Sequence, residues 1–96
     1  MRPSVAYQKH RDSIKRIVEL HHATNPRVFG SVLTSQDTEH SDLDLLVDTT
    51  TETSLFDIGA ICTELTELLG VKVDVQTPGS LPERWKMEVL SKARAL

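Results

Sequence analysis

Apolar and polar positions along this chain alternate in short periodic segments, each ended by turn residues, and the period changes from helical to extended and back. From about Val5 to His22, Ile14, Ile17, Val18 and His21 or Ala23 recur on one side with charges on the other, which predicts an amphipathic helix closed by Thr24-Asn25-Pro26. Arg27-Val28-Phe29 is a short strand candidate running into Gly30-Ser31, and the polar stretch Thr34 to Ser41 reads as a loop. Asp42-Leu43-Asp44-Leu45-Leu46-Val47-Asp48 is the clearest strand. Its period of two sets Leu43, Leu45 and Val47 on one face and Asp42, Asp44, Leu46 and Asp48 on the other.

Thr53 to Leu69 has the strongest helical pattern. Leu55, Phe56, Ile58, Ile61, Cys62, Leu65, Leu68 and Leu69 make a broad apolar stripe, and Gly70 is placed as its C-cap. Val71-Lys72-Val73-Asp74-Val75 alternates again, valines on one side and Lys72 and Asp74 on the other, and is expected beside the Asp42 strand. After the turn Thr77-Pro78-Gly79, Ser80 and Glu83 have capping-box spacing for a last helix carrying Leu81, Trp85, Val89, Leu90 and Ala93. Cys62 and Trp85 are expected in the core. The predicted order, α-β-β-α-β-α, is an α/β (α+β) fold: a small mixed sheet packed with helices.

A length of 96 residues suits one domain, residues 1–96, and an apolar share of 39% with 26% charged residues suits a folded globular chain. No apolar run approaches the roughly 20 residues that cross a bilayer. The start of the chain turns polar at Gln8-Lys9-His10-Arg11, before an export signal could form, and the single cysteine, Cys62, cannot close an internal disulfide. Both features lead us to expect a cytoplasmic protein. Charge distribution matters more than the net value. No Lys or Arg lies between Arg27 and Lys72, a stretch with nine carboxylates: Asp37, Glu39, Asp42, Asp44, Asp48, Glu52, Asp57, Glu64 and Glu67. Such a centre repels nucleic-acid phosphates and attracts cations, so direct nucleic-acid binding is not expected and a metal site is.

Asp42 and Asp44 share a face about 7 Å apart along the strand, and holding both ionised is costly unless a cation lies between them. Magnesium, which prefers carboxylate and phosphate oxygens, is the natural occupant. Taken alone, Asp-x-Asp is more often a pair of solvated carboxylates, Gly-Ser a plain turn, and Asp74 an edge-strand solubiliser. Together they favour chemistry: a glycine that lets backbone amides approach an anion, a hydroxyl beside it, and a third carboxylate from a neighbouring strand. His21 and His22 diverge by about 100° on a helix and cannot chelate one ion; contacts with the helix dipole suit them better. His40 reads as a solvated loop residue. Arg84, Lys86, Lys92 and Arg94 are most simply a solvated helix face, with docking of an acidic partner as the alternative.

Gly30-Ser31, nine intervening residues, Ser41-Asp42-Leu43-Asp44-Leu45-Leu46-Val47 and then Val73-Asp74-Val75 resemble the DNA polymerase beta-like nucleotidyltransferase superfamily. Over roughly Val28 to Leu96, including Gln76-Thr77-Pro78-Gly79-Ser80-Leu81, the chain looks like the MNT-type minimal nucleotidyltransferases. The resemblance implies that Asp42, Asp44 and Asp74 are catalytic and hold two Mg2+ ions, and that Gly30 and Ser31 hold the β- and γ-phosphates of ATP, with Lys72 as a further nucleotide-binding residue. It implies a partner as well: members of this group silence a HEPN-domain ribonuclease toxin, in a type VII toxin–antitoxin system, by moving AMP from ATP to a toxin tyrosine. A hetero-oligomer with the toxin is therefore expected. One departure is visible. Thr34 and Ser35 stand where the group commonly has Arg-Gly, so a phosphate-assisting cation is missing. That departure is the basis of the alternative, an antitoxin that neutralises its toxin by binding alone. Transfer to RNA or a small antibiotic fits less well, because the chain has neither an extra domain nor a basic groove at the site.

Overall fold

The computed structural model describes residues 1–96. Helices α1 (Pro3–Lys9) and α2 (Arg11–Leu20) lead into strand β1 (Ala23–Phe29), a 3-10 turn (Gly30–Thr34) and strand β2 (Leu43–Thr49). Helix α3 (Leu55–Leu69), strand β3 (Val73–Gln76), a second 3-10 turn (Pro78–Ser80), helix α4 (Glu83–Lys92) and strand β4 (Arg94–Ala95) complete the chain. The sheet order is β3-β2-β1-β4, with β2 and β3 parallel and β1 antiparallel to both β2 and β4. This is the small mixed sheet packed with helices that the periodicity predicts. The parallel pair is joined through α3, as parallel strands require a crossover.

The core lies between the sheet and α1 to α3: Ala6 and Tyr7, Ile14 and Val18, Val28, then Leu43, Leu45 and Val47, then Ile61, Leu65 and Leu69. The alternation foreseen in β2 thus holds. Leu46, on the opposite face, is also fully buried, in a place apart from that cluster. Ser54 and Asp57 form a reciprocal capping box at the start of α3, and Gly70 ends the helix at φ 69°, both satisfying backbone groups that the helix leaves unpaired.

Several boundaries differ from expectation, each for a local reason. The first helix is broken at His10 (φ −111°, ψ 24°), so that α1 and α2 can each turn a side into the core. β1 starts at Ala23, because Asn25, in the left-handed region at φ 51°, and Pro26 form a bulge that lets the strand continue. In α3 the apolar stripe is narrower than expected: Phe56 is 91% exposed, since it lies nine residues before Leu65 and projects from about the opposite side of the helix. Leu55, in the first turn, is 89% exposed, and Cys62 is half-buried, donating its S–H to the Val73 carbonyl at 3.0 Å. Ser80 does not cap α4. It exchanges hydrogen bonds with Thr77 across the second 3-10 turn, and α4 begins behind Pro82 without a side-chain cap. α4 buries no residue, and Trp85 is 48% exposed, so this helix is a cover at the margin of the sheet rather than a core element. β4 was not foreseen, being two residues long with an exposed burial pattern. His21 and His22 end α2 and meet carboxylates instead of a common ion: His21 contacts Glu64, and His22 lies beside Asp57 and Glu52.

The loop between the first 3-10 turn and β2 is not uniformly solvated. Asp37 is only 3% exposed and accepts the Ser4 backbone N–H at 2.8 Å. Ser4 lies in the first turn of α1, where its own amide has no intrahelical partner, and Arg2 at the N-cap offers no side-chain cap. Asp37 therefore caps α1 from across the fold and places a negative charge at its positive end. Burial alone would raise the Asp37 pKa; the Ser4 amide and the nearby Arg2 charge outweigh it, and the pKa lies below the ordinary 3.8. Asp37→Ala is expected to cost about 1–2 kcal/mol at neutral pH, read by thermal unfolding. The sign follows from the depressed native pKa: the contribution is present above the unfolded-state value and is lost as pH falls through the native one. Wild type and variant should thus converge in acid, below pH 3.8.

Candidate active site

β2 and β3 run parallel in a register that pairs Leu43 with Val73 and Asp44 with Asp74, while β1 sets Phe29 against Asp44. Phe29, Asp44 and Asp74 thus form one row across the sheet on the face away from the main core. Asp42 and Lys72 are each one residue before their strands, so they stand side by side at the entrance, Lys72 Nζ being 3.9 Å from Asp42 Oδ2. Their exposures of 46% and 76% make this pair worth less than about 1 kcal/mol. The structure therefore places Lys72 beside Asp42. Asp48, the last carboxylate of this face, is taken out of the group by Arg27, with which it forms an ion pair, and by Asn25, which donates to it at 3.0 Å.

Gly30 closes the row from above. It follows β1 at φ 79°, and a Cβ at this position would collide with the Asp44 carboxylate. Ser31 is exposed in the turn that Gly30 starts, next to the site. Asp74 is held by a residue that the periodicity did not single out: the Gln76 amide donates to both Asp74 oxygens at 3.3 Å, and Ser80 Oγ donates to Gln76 Oε1 at 2.8 Å. Gln76 is two positions from Asp74, so period-two spacing already put the two on one face.

Asp44 carries the electrostatic signature of the site. Burial first, then the charges of Asp74 and Asp42, push its pKa up to about 6. A partly buried carboxylate facing two others without a compensating cation attracts one, and donors that are all carboxylate oxygens suit a hard divalent ion such as Mg2+. The donors fit that ion in kind and charge. No three His, Cys, Asp or Glu side chains converge closely enough here to enclose a single ion.

The turn after Gly30 bears on the Thr34-Ser35 departure. Ser35 caps it in the left-handed region at φ 57°, a conformation in which glycine is unstrained and serine is not. Ser35 thus stands in a backbone conformation that suits glycine better.

Comparison with known proteins agrees with the fold. The pattern of the family described as nucleotidyltransferase domain matches residues 8–96. A provisionally named protein adenylyltransferase of Methanocaldococcus jannaschii is 36% identical over 73 residues, covering 76% of this chain and 78% of that protein. A solved structure provisionally described as a minimal nucleotidyltransferase superposes with a TM-score of 0.86 at 34% identity, over 97% of this chain and 95% of the other. A toxin-antitoxin crystallised with AMP-PNP shares the fold, with a TM-score of 0.74 at 16% identity over 88% of this chain and 69% of that one. The chain belongs to the nucleotidyltransferase domain family, and its activity is nucleotidyl transfer.

Proposed function

We propose that this protein is a cytoplasmic antitoxin that moves AMP from ATP to a tyrosine of a HEPN-domain ribonuclease toxin and so silences it. The observation that carries the reading is the in-register row of Asp44 and Asp74, with Gly30 against Asp44 and Asp42 at the strand entrance. In the reaction the tyrosine oxygen forms a bond to the α-phosphorus of ATP, the bond from that phosphorus to the β-phosphate oxygen breaks, and pyrophosphate leaves. Asp74, held by the Gln76 amide, receives the tyrosine proton in this reading. Gly30 lets the backbone of its turn approach the β- and γ-phosphates, and the Ser31 hydroxyl donates to them. Asp42, Asp44 and Asp74 would hold two Mg2+ ions, which would supply charge neutralisation to the transfer. The protein acceptor is supported by the name of the archaeal relative, and the toxin partner by the toxin-antitoxin that shares the fold.

The absence of a cation at Thr34, in a turn whose Ser35 keeps the left-handed shape, favours a second reading, neutralisation by binding alone. Intact-mass spectrometry separates the two. A HEPN toxin encoded beside this protein, incubated with it, ATP and Mg2+, is expected to gain one or more AMP units, and the gain should vanish with Asp42→Ala/Asp44→Ala. An unmodified toxin in a tight complex would instead establish the binding-only antitoxin.

A further inference from the structure

Basic residues from the end of the chain share a cavity with the turn that carries no cation. A cavity of about 600 Å3 opens beside the turn, with Gly30 and Thr34 on one wall and, on the other, Trp85, Glu88 and Lys92 of α4 and Arg94 of β4. Two basic residues from the end of the chain thus line the same cavity as Gly30 and Thr34, though they are about 60 positions away in sequence. Arg94 is brought there by pairing with Val28, one residue before Phe29 and two before Gly30. Lys92 is held by Glu88 at 3.0 Å, one helical turn earlier. A second cavity, of about 420 Å3, shares Trp85 with the first and reaches Asp74 and Gln76. The two cavities thus meet at Phe29, Trp85 and Val89, one reaching Asp74 and the other Gly30.

We infer that Lys92 and Arg94 form the subsite for the diphosphate end of the nucleoside triphosphate, neutralising the pyrophosphate that leaves. This rests on the assignment of Gly30 and Ser31 to the phosphate tail, not on the identity of the acceptor. A polyphosphate needs cations near neutral pH, the turn provides none, and the only carboxylate of the cavity, Glu88, is already paired with Lys92. An arriving phosphate competes with Glu88 for Lys92. Removing the Glu88 charge should therefore help binding, whereas removing either basic residue should weaken it. That opposition of sign separates a phosphate subsite from a merely structural Glu88–Lys92 pair, which both changes would break alike.

The test is isothermal titration calorimetry of the full chain with ATP, with inorganic pyrophosphate and with AMP, at fixed Mg2+ and ionic strength. Lys92→Ala and Arg94→Ala are each expected to raise the Kd for ATP and for pyrophosphate about tenfold and to leave AMP binding unchanged. Glu88→Gln should lower the Kd for ATP about threefold, and Thr34→Arg should restore ATP binding to Lys92→Ala. Circular dichroism verifies that each variant is folded. The inference is overturned if both basic variants bind ATP and pyrophosphate like wild type, if AMP binding weakens equally, or if only docking of a partner protein is lost. Absence of ATP and pyrophosphate binding by wild type would overturn it together with the phosphate assignment of Gly30. A wild type that binds both, with the variants weakened, but modifies no protein would overturn only the proposed acceptor.

Discussion

Asp44→Asn should raise the melting temperature of the metal-free protein at neutral pH and, in the same molecule, sharply reduce nucleotidyl transfer. The native pKa of Asp44 is pushed up to about 6 from 3.8 by burial and by Asp74 and Asp42, so the ionised carboxylate is held in a place that disfavours it. For a raised carboxylate the sign is the reverse of that for Asp37. Stability falls as pH rises from the unfolded-state value through the native one, and the loss is complete above about pH 6. Asn, with nearly the same shape and no charge, avoids that loss. Allowing for partial solvent access, the gain is on the order of 1–2 kcal/mol, several degrees for a domain of this size. Mg2+ should invert the order of stability, because a ligand that binds only the folded wild-type site stabilises it by mass action and the variant lacks the charge to bind. Transfer should fall on the order of a thousandfold. Melting curves from pH 5 to 8, with and without Mg2+, and a transfer assay test all of this. A variant less stable than wild type without metal at pH 7 would mean that the protein itself already compensates the Asp44 charge.

The carboxylates that produce this effect could be read from the sequence because they depend on local rules. A period of two puts Asp42 and Asp44 on one face, and a strand-helix-strand order makes the Asp74 strand a parallel neighbour. Register is another matter. The pairing of Asp44 with Asp74, which lifts the Asp44 pKa, is set by how α3 seats the two strands, and neither strand encodes it alone. Asp37 was hidden for the same reason: in a polar loop it looks solvated, and only the approach of α1 turns it into a buried cap. The end of the chain shows the limit of periodicity. An apolar stripe with Trp85 and Val89 suggests burial, but a stripe does not reveal whether another layer covers it, and here it borders an open cavity. Lys92 and Arg94, which look like a solvated helix face in sequence, line that cavity because a two-residue strand, too short to recognise, fastens them to β1. Gln76 could have been found, since its spacing from Asp74 follows the same period as Asp42 and Asp44.

Gly30→Ala should impair both stability and catalysis more than a left-handed glycine normally would. Gly30 has two independent constraints: φ of 79°, which costs an L-residue about 1–2 kcal/mol, and a Cβ position that overlaps the Asp44 carboxylate. Gly70 separates them, since it has a similar φ of 69° with nothing within 4 Å of its would-be Cβ. Gly70→Ala is accordingly expected to cost about 1 kcal/mol without affecting transfer, whereas Gly30→Ala should cost about 2–4 kcal/mol and lower transfer at least a hundredfold, because Asp44 must move to admit the methyl group. A double-mutant cycle identifies the cause. In the background of Asp44→Ala, which removes the colliding atoms, Gly30→Ala should cost no more than Gly70→Ala, giving an interaction energy of about 1–3 kcal/mol from denaturant unfolding. If the two changes were simply additive, the glycine would be required only for its backbone angle. If they are coupled, the glycine of Gly30-Ser31 lets the turn that is to hold the phosphates settle directly onto the carboxylate that is to hold the metal.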